Sequence, residues 1–462
     1  MNNNHLSCFK AYDIRGRLGV ELNEEIAHRI GRSAAEILKA ESIAVGYDAR
    51  ATSTELATAV SEGVREAGAS VLDIGLAGTE EMYWAVTSQG ASAGIEITAS
   101  HNPIDYNGMK IVKQGSQPLT EGEFQSIRSL AVEQKFKRAP VSTAGELIDC
   151  SLKARRAYLE KIVGFVDTSR LKPLKIVVNS GNGAAGPTFD ALAEKLVENG
   201  VEAEFIRVHH KPDATFPNGI PNPLIPENQA ATSYFVKENN ADFGVAFDGD
   251  FDRCFFFDEQ GVFVPGEYVV GLLSKAYLRK EPGAKIVHDP RVIWNTLDAV
   301  KNAGGTPIEV KTGHAFIKQA MRESEALYGG EMSAHHYFRD FAYCDSGMIP
   351  WLLVWELIST SGKSLGWLLN ECRASFPSSG ERNFRVRDPA ACLKAAEARY
   401  GVDALSVDHL DGVSIAFEDW RFNLRKSNTE PLVRLNVETR GDTELLAAKT
   451  AELQRLIEVQ TQ

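Results

Sequence analysis

Three stretches of the chain repeat one alternation of apolar and polar positions. Each has a short apolar run, a polar or glycine-rich turn, an amphipathic stretch at helical spacing, a glycine, and a second apolar run. The first joins Ser42-Ile-Ala-Val-Gly-Tyr-Asp48 to a helix near Leu56 to Glu66, then Gly68 and Ser70-Val-Leu-Asp-Ile74. The second joins Leu174-Lys-Ile-Val-Val-Asn179 to a helix near Phe189 to Glu198, then Gly200 and Ala203-Glu-Phe-Ile206. The third joins Lys285-Ile-Val-His-Asp289 to a helix near Asn295 to Asn302, then Gly304-Gly305 and Pro307-Ile-Glu-Val310. Strands and helices of these lengths predict βαβ units on largely parallel sheets.

A further strand follows each unit and ends in a conspicuous loop. These are Gly94-Ile-Glu-Ile-Thr-Ala-Ser-His-Asn-Pro103, Gly244-Val-Ala-Phe-Asp-Gly-Asp-Phe-Asp-Arg253 and Tyr328-Gly-Gly-Glu-Met-Ser-Ala-His-His336. Ligands of open α/β sheets gather beyond the carboxyl ends of strands, so the three loops are expected to converge on one cleft. After Phe376-Pro-Ser-Ser-Gly380 the pattern changes. A helix (Ala390 to Tyr400), strands around Val413 to Phe417 and Leu432 to Val437, and a final helix (Thr443 to Val459) predict a smaller domain. The expected fold is α/β: three related αβα domains with mixed, largely parallel sheets, plus a smaller C-terminal α+β domain. Boundaries are placed at 1–150, 151–260, 261–374 and 375–462.

The bulk numbers fit a multidomain globular chain: 462 residues, 44% hydrophobic and 24% charged. A formal net charge of −12 without a block of Lys or Arg argues against nucleic acid or an anionic membrane as partner. No cationic stretch followed by an apolar one opens the chain, and the most apolar long segment, Gly347 to Trp355, is too short to span a bilayer. Six scattered cysteines without a C-x-x-C pair fit a reduced, cytoplasmic setting.

Candidate chemistry concentrates in the loops. Asp248, Asp250 and Asp252 follow an apolar strand, and carboxylates this close repel unless a cation neutralises them. Hard oxygen ligands suit Mg²⁺. An EF-hand is excluded because its sixth position, where Gly is required, is Arg253. A strand-terminal aspartyl nucleophile of the haloacid-dehalogenase type is the competing reading; the third Asp and the following Arg fit a metal loop better. A solvated acidic turn is the plain alternative. Ser100 ends a strand beside His101, with Lys110 further on, and lacks the G-x-S-x-G elbow of α/β-hydrolases. Taken alone, Ser-His-Asn-Pro is turn chemistry; its weight comes from the Asp loop.

Gly181, Gly183 and Gly186 satisfy G-x-G-x-x-G after a strand, the fingerprint of a dinucleotide site. The following strand ends Phe205-Ile-Arg-Val-His-His210 without the acidic residue such a site needs, so the glycines read as a tight turn with Pro187 near the helix start. Arg425-Lys-Ser-Asn-Thr-Glu-Pro431 places cations, hydroxyls and an amide in one turn suited to a phosphate dianion, against the plain reading of a solvated basic turn. His314, His335 and His336 lack a third ligand at zinc spacing and read as hydrogen-bonding or substrate-binding residues.

Together these segments resemble the α-D-phosphohexomutases, most closely the bacterial phosphomannomutase type. The likeness runs end to end through Phe9-Lys-Ala-Tyr-Asp-Ile-Arg-Gly16, Thr98-Ala-Ser-His-Asn-Pro103, Asp248-Gly-Asp-Phe-Asp-Arg253, Gly330-Glu-Met-Ser-Ala-His335 and Arg425-Lys-Ser-Asn-Thr429. It implies a heart-shaped arrangement of four domains around a central cleft, closed by the C-terminal one. It implies that Ser100 is a phosphoserine, with Mg²⁺ between its phosphate and Asp248, Asp250 and Asp252. Tyr12, Arg15, His101, Lys110 and Arg253 would surround the transferring group. Glu331 and Ser333 would hold sugar hydroxyls, with His314 and His335 nearby, and Arg425, Ser427, Asn428 and Thr429 would bind the phosphate that does not react. Several relatives carry Lys where this chain has His288-Asp-Pro-Arg291, so Arg291 is assigned that role.

The implied reaction interconverts mannose 6-phosphate and mannose 1-phosphate through a 1,6-bisphosphate, feeding GDP-mannose and polysaccharide synthesis. Glucose or mannose 1,6-bisphosphate would serve as activator. Equal action on glucose phosphates is the close alternative, and an NAD(P)-dependent oxidoreductase resting on Gly181, Gly183 and Gly186 the distant one. The expected partner is a small hexose phosphate, with the protein a monomer or weak dimer.

Overall fold

The computed structural model describes residues 6–137, 144–427 and 432–459. They form two compact units, one of residues 1–263 and 335–362, the other of residues 264–334 and 363–462.

All three predicted repeats share one local topology. In each, the first strand lies between the other two and runs parallel to both. Ser42–Tyr47 sits between Ser70–Leu76 and Ala93–Ile97. Lys175–Asn179 sits between Glu204–Val208 and Phe243–Phe247, and Lys285–His288 between Thr306–Glu309 and Tyr328–Gly330. Parallel neighbours need crossovers, and the helices Ser53–Glu66, Ala185–Glu198 and Trp294–Asn302 supply them. In the first unit each sheet then gains an antiparallel strand, Tyr106–Lys113 on Ala93–Ile97 and Cys254–Phe257 on Phe243–Phe247. The sheets are therefore mixed. Ala93–Ile97 and Phe243–Phe247 are buried along their whole length, which is why they read as continuous apolar runs.

The apolar segment from Gly347 to Trp355 becomes the helix Met348–Ser361, buried almost all round. Trp351 and Trp355 stack at 6.1 Å, pack against Phe189 and Phe205, and the Trp355 indole donates to the Lys172 carbonyl at 2.8 Å. Glu80 accepts from the Gly347 and Met348 amides at 3.1 and 3.0 Å, meeting the open donors of that helix start. Among the described residues no helix is long and apolar enough to cross a membrane, and all six cysteines are free.

The C-terminal sheet is antiparallel throughout, in the order Arg382–Arg385, Leu432–Thr439, Trp420–Lys426, Val413–Ala416, Ser406–Asp408. Its apolar side chains share a core with residues of the helices Pro389–Tyr400 and Thr443–Val459. Arg425 and Lys426, expected in a turn, close the Trp420–Lys426 strand instead. There Trp420, Phe422 and Leu424 enter the core while Arg421, Asn423 and Arg425 alternate with them.

Candidate active site

Two strand ends meet in the first unit. Ser100 lies just beyond Ala93–Ile97, fully buried, with φ of 51°. A non-glycine residue keeps that conformation only when its surroundings hold it. Here the Ser100 amide donates to Thr98 Oγ1 at 2.8 Å, and the Thr98 hydroxyl donates to Asp48 at 2.7 Å. Arg50 fixes the rest of the loop. Its Nη2 donates to the Ser100 carbonyl at 2.9 Å and the Asn102 carbonyl at 2.6 Å, and its Nη1 to the carbonyls of Pro103 and Tyr106 at 2.9 and 3.0 Å.

The Asp triplet begins just beyond Phe243–Phe247 and is buried. Its loop can approach only because Gly249 has no side chain, since a Cβ there would lie 2.5 Å from the Ser100 carbonyl. The Ser100 hydroxyl donates to Asp248 Oδ2 at 2.9 Å and lies 3.0 Å from His101 Nδ1. Lys110, on the antiparallel strand, donates to Asp250 at 2.7 Å and also to Asp252. Thr79, at the start of its helix, donates its hydroxyl to Asp250 at 2.5 Å.

The charges are unevenly settled. Burial, with Asp252 and Asp250 adding repulsion, pushes the Asp248 carboxyl up to about 8. Burial and Asp252 also oppose the charge on Asp250, but Lys110 outweighs them and holds it below its ordinary value. Asp252 is likewise held down by Lys110 and His335 against burial. Among the described residues, Asp250 Oδ1 and Asp252 Oδ1 are buried without a hydrogen-bond partner. Atoms of the three carboxylates lie within 4.8 Å of one another. Buried carboxylate oxygens with nothing to accept are what a hard divalent cation needs, so this donor set fits such a cation.

Arg253 ties the triplet to two histidines. Its Nε lies 3.3 Å from Asp248 and donates to His335 Nε2 at 3.1 Å, while Nη2 donates to His101 Nδ1 at 3.0 Å. Burial, then Arg253 and Arg15, push the His101 ring well below its ordinary value, so it is neutral and accepts at Nδ1. Arg15 reaches the Asn102 side chain. Tyr12 stands half-exposed just before the strand that carries Arg15. His335, expected near Glu331 and Ser333, forms a bridge with Arg253 and lies 3.7 Å from Asp252 and 4.0 Å from Asp345.

A second cluster lies wholly in the other unit. Arg291 is buried and held by Asp289 through Nε at 3.1 Å and Nη2 at 2.8 Å. It also donates to Ser333 at 3.2 Å and lies 3.7 Å from Glu331. The Gly313 amide donates to Glu331 at 3.2 Å, which sets the His314–Ser324 helix start beside it. Arg425 donates to Glu381 at 2.8 Å, and Arg291 and Arg434 each approach the same carboxylate to 3.5 Å. Ser427 follows the Trp420–Lys426 strand, and Asn428 and Thr429 lie outside the described residues.

Reading the sequence missed Asp48, Arg50, Thr79, Asp289, Glu381, Arg434 and Asp345 as neighbours of these groups. Asp48 and Arg50 had a signal, since they follow a predicted strand at its carboxyl end. Glu381 and Arg434 had none in spacing. The glycine-rich turn is explained by packing: a Cβ at Gly183 would meet Gly249 O at 2.8 Å and one at Gly186 would meet His210 O at 1.9 Å.

Four family descriptions match in order along the chain: phosphoglucomutase/phosphomannomutase α/β/α domains I, II and III at residues 7–138, 156–261 and 265–376, and the C-terminal domain at 381–455. The chain belongs to the phosphoglucomutase/phosphomannomutase family. A phosphomannomutase of Salmonella montevideo is 56% identical over 455 residues, 98% of this chain and 99% of its own. One of Escherichia coli K12 is 54% identical, covering 98% and 99%. A protein of Xanthomonas campestris named for phosphohexose mutases is 52% identical over the same shares. Among solved structures, a family member from Burkholderia thailandensis superposes with a TM-score of 0.85 at 31% identity, covering 98% of this chain and 97% of that one.

Proposed function

We propose that this chain is a phosphomannomutase that works through phosphorylated Ser100 with Mg²⁺. One observation carries the reading: the Ser100 hydroxyl is buried 2.9 Å from Asp248, within a carboxylate triplet whose open oxygens fit a divalent cation. Relatives named phosphomannomutase that span nearly the whole chain support the choice of mannose.

In the forward half-reaction the bond between phosphorus and Ser100 Oγ breaks as one forms to the free hydroxyl oxygen of a hexose monophosphate. That hydroxyl gives up its proton, and Ser100 Oγ regains one. The 1,6-bisphosphate then returns its other phosphoryl group to Ser100. When bound by Asp248, Asp250 and Asp252, Mg²⁺ supplies charge neutralisation beside the transferring group. Phosphoryl transfer needs alignment and charge stabilisation more than covalent help. Arg50 and Thr98 supply alignment by holding Ser100 in its left-handed conformation. Arg253 and Lys110 supply fixed positive charge, and the neutral His101 orients Arg253. Glu331 and Ser333 are the proposed sugar contacts with His314, and Arg425 with Ser427 the grip on the non-reacting phosphate.

The test is turnover of mannose 1-phosphate and glucose 1-phosphate with Mg²⁺ and a trace of 1,6-bisphosphate. A strong preference for mannose is expected. Equal rates would make the enzyme dual-specific, and turnover of neither would overturn the assignment.

A further inference from the structure

The geometry points to Glu381 as a resident counter-anion of Arg425, seated on half of a phosphate-binding edge and displaced when a phosphate monoester arrives. The inference rests on the reading of Arg425 as a phosphate-binding residue. A guanidinium presents Nε and one Nη as a fork that matches two oxygens of an oxyanion. Here Glu381 takes only Nη2, at 2.8 Å. Arg425 Nε is buried and has no hydrogen-bond partner among the described residues, and the residue is only 8% exposed. A buried charged donor left unmet is unfavourable and marks a place where a second oxygen belongs.

Two carboxylates of this cluster behave differently. Asp289 is 3% exposed and grips Arg291 by both arms, so it is a fixed structural partner. The Glu381 side chain is 22% exposed and touches Arg425 through one oxygen. Arg291 and Arg434 stand at 3.5 Å, ready to hold it once Arg425 is taken. Burial opposes its charge, but Arg291, Arg425 and Arg434 together hold its carboxyl below its ordinary value. A phosphate dianion offers Arg425 both oxygens of the fork and a higher charge than the carboxylate it replaces. Glu381 therefore lowers phosphate affinity while keeping the empty cluster neutralised.

The experiment is calorimetric titration of inorganic phosphate into the full-length protein and its Glu381→Gln, Glu381→Ala and Arg425→Met variants. Removing the competing charge is expected to tighten phosphate binding about tenfold in both Glu381 variants, a change of about 1.4 kcal/mol. The Michaelis constant for mannose 1-phosphate is expected to fall in parallel. Unchanged or weaker phosphate binding in a folded Glu381 variant would overturn the inference, because a carboxylate that merely braces Arg425 loosens the site when removed. Arg425→Met is expected to weaken binding. Phosphate affinity indifferent to Arg425 would overturn the phosphate-site reading itself, whatever the Glu381 variants do.

Discussion

The two clusters are complementary in what they leave unmet. Around Ser100 the open groups are acceptors, carboxylate oxygens of Asp250 and Asp252 that nothing donates to. Around Arg425 the open group is a donor, its buried Nε. Unmet acceptors suit a cation and an unmet donor suits an anion, which is the division of labour proposed above. The fold makes the contrast by different means: Ser100 and the Asp triplet lie just beyond the ends of strands in parallel pairs, whereas Arg425 lies on a strand of the antiparallel C-terminal sheet.

The contrast breaks most completely at Ser100. Ser100→Ala is expected to lower turnover by about 10³-fold or more, with the fold intact, because the covalent relay is gone. A steady-state assay with added 1,6-bisphosphate checks this. Asp250→Asn is expected to weaken Mg²⁺ binding by about 100-fold while leaving phosphate binding at Arg425 unchanged. Metal titration followed by calorimetry would show the two sites to be separable; an unchanged metal affinity would remove the cation reading.

Arg50→Lys sharpens the comparison within the first cluster. One ammonium cannot hold the four carbonyls that the guanidinium fork reaches, so Ser100 should drift from its held conformation. Turnover is expected to fall about 10- to 100-fold with little change in the Michaelis constant, since small misplacements of a reacting atom carry such costs. A larger Michaelis constant with normal turnover would place Arg50 in binding instead.

The smallest effect is one of pH on the metal-free protein. Asp248 is raised in the folded chain to about 8, so the folded state binds the proton more tightly than the unfolded one. Its contribution is thus fully present below the unfolded value and is lost as pH rises towards about 8. Melting temperature without metal should decline across that window, and added Mg²⁺ should stabilise more at its upper end, where no proton competes. Equal stabilisation at both ends would argue against Asp248 as a ligand.

Much of this was legible in the chain because the repeats are long and strongly patterned. Buried parallel strands appear as apolar runs, and the helix Thr443–Val459 keeps its expected bounds. Ser100 and the Asp triplet stood out because both loops end recognisable strands. The edge strands Arg382–Arg385 and Ser406–Asp408 were hidden by their polar, exposed residues. Trp420–Lys426 was read partly as a turn because its alternate positions are charged and amide residues, buried here by pairing, as in the Arg421–Glu438 bridge at 2.7 Å. Arg50 follows a predicted strand, but its partners lie about fifty residues away, and the role of Glu381 likewise depends on a distant partner of which spacing carries no trace.

Passage of the phosphoryl group through Ser100 can be followed as a covalent label. The most direct measurement incubates the protein with labelled mannose 1,6-bisphosphate and Mg²⁺, then maps the label by peptide mass spectrometry before and after excess mannose 6-phosphate. One phosphoryl group is expected on the peptide containing Ser100, discharged when the monophosphate is added. Label on another residue, or turnover by protein that never carries label, would contradict it.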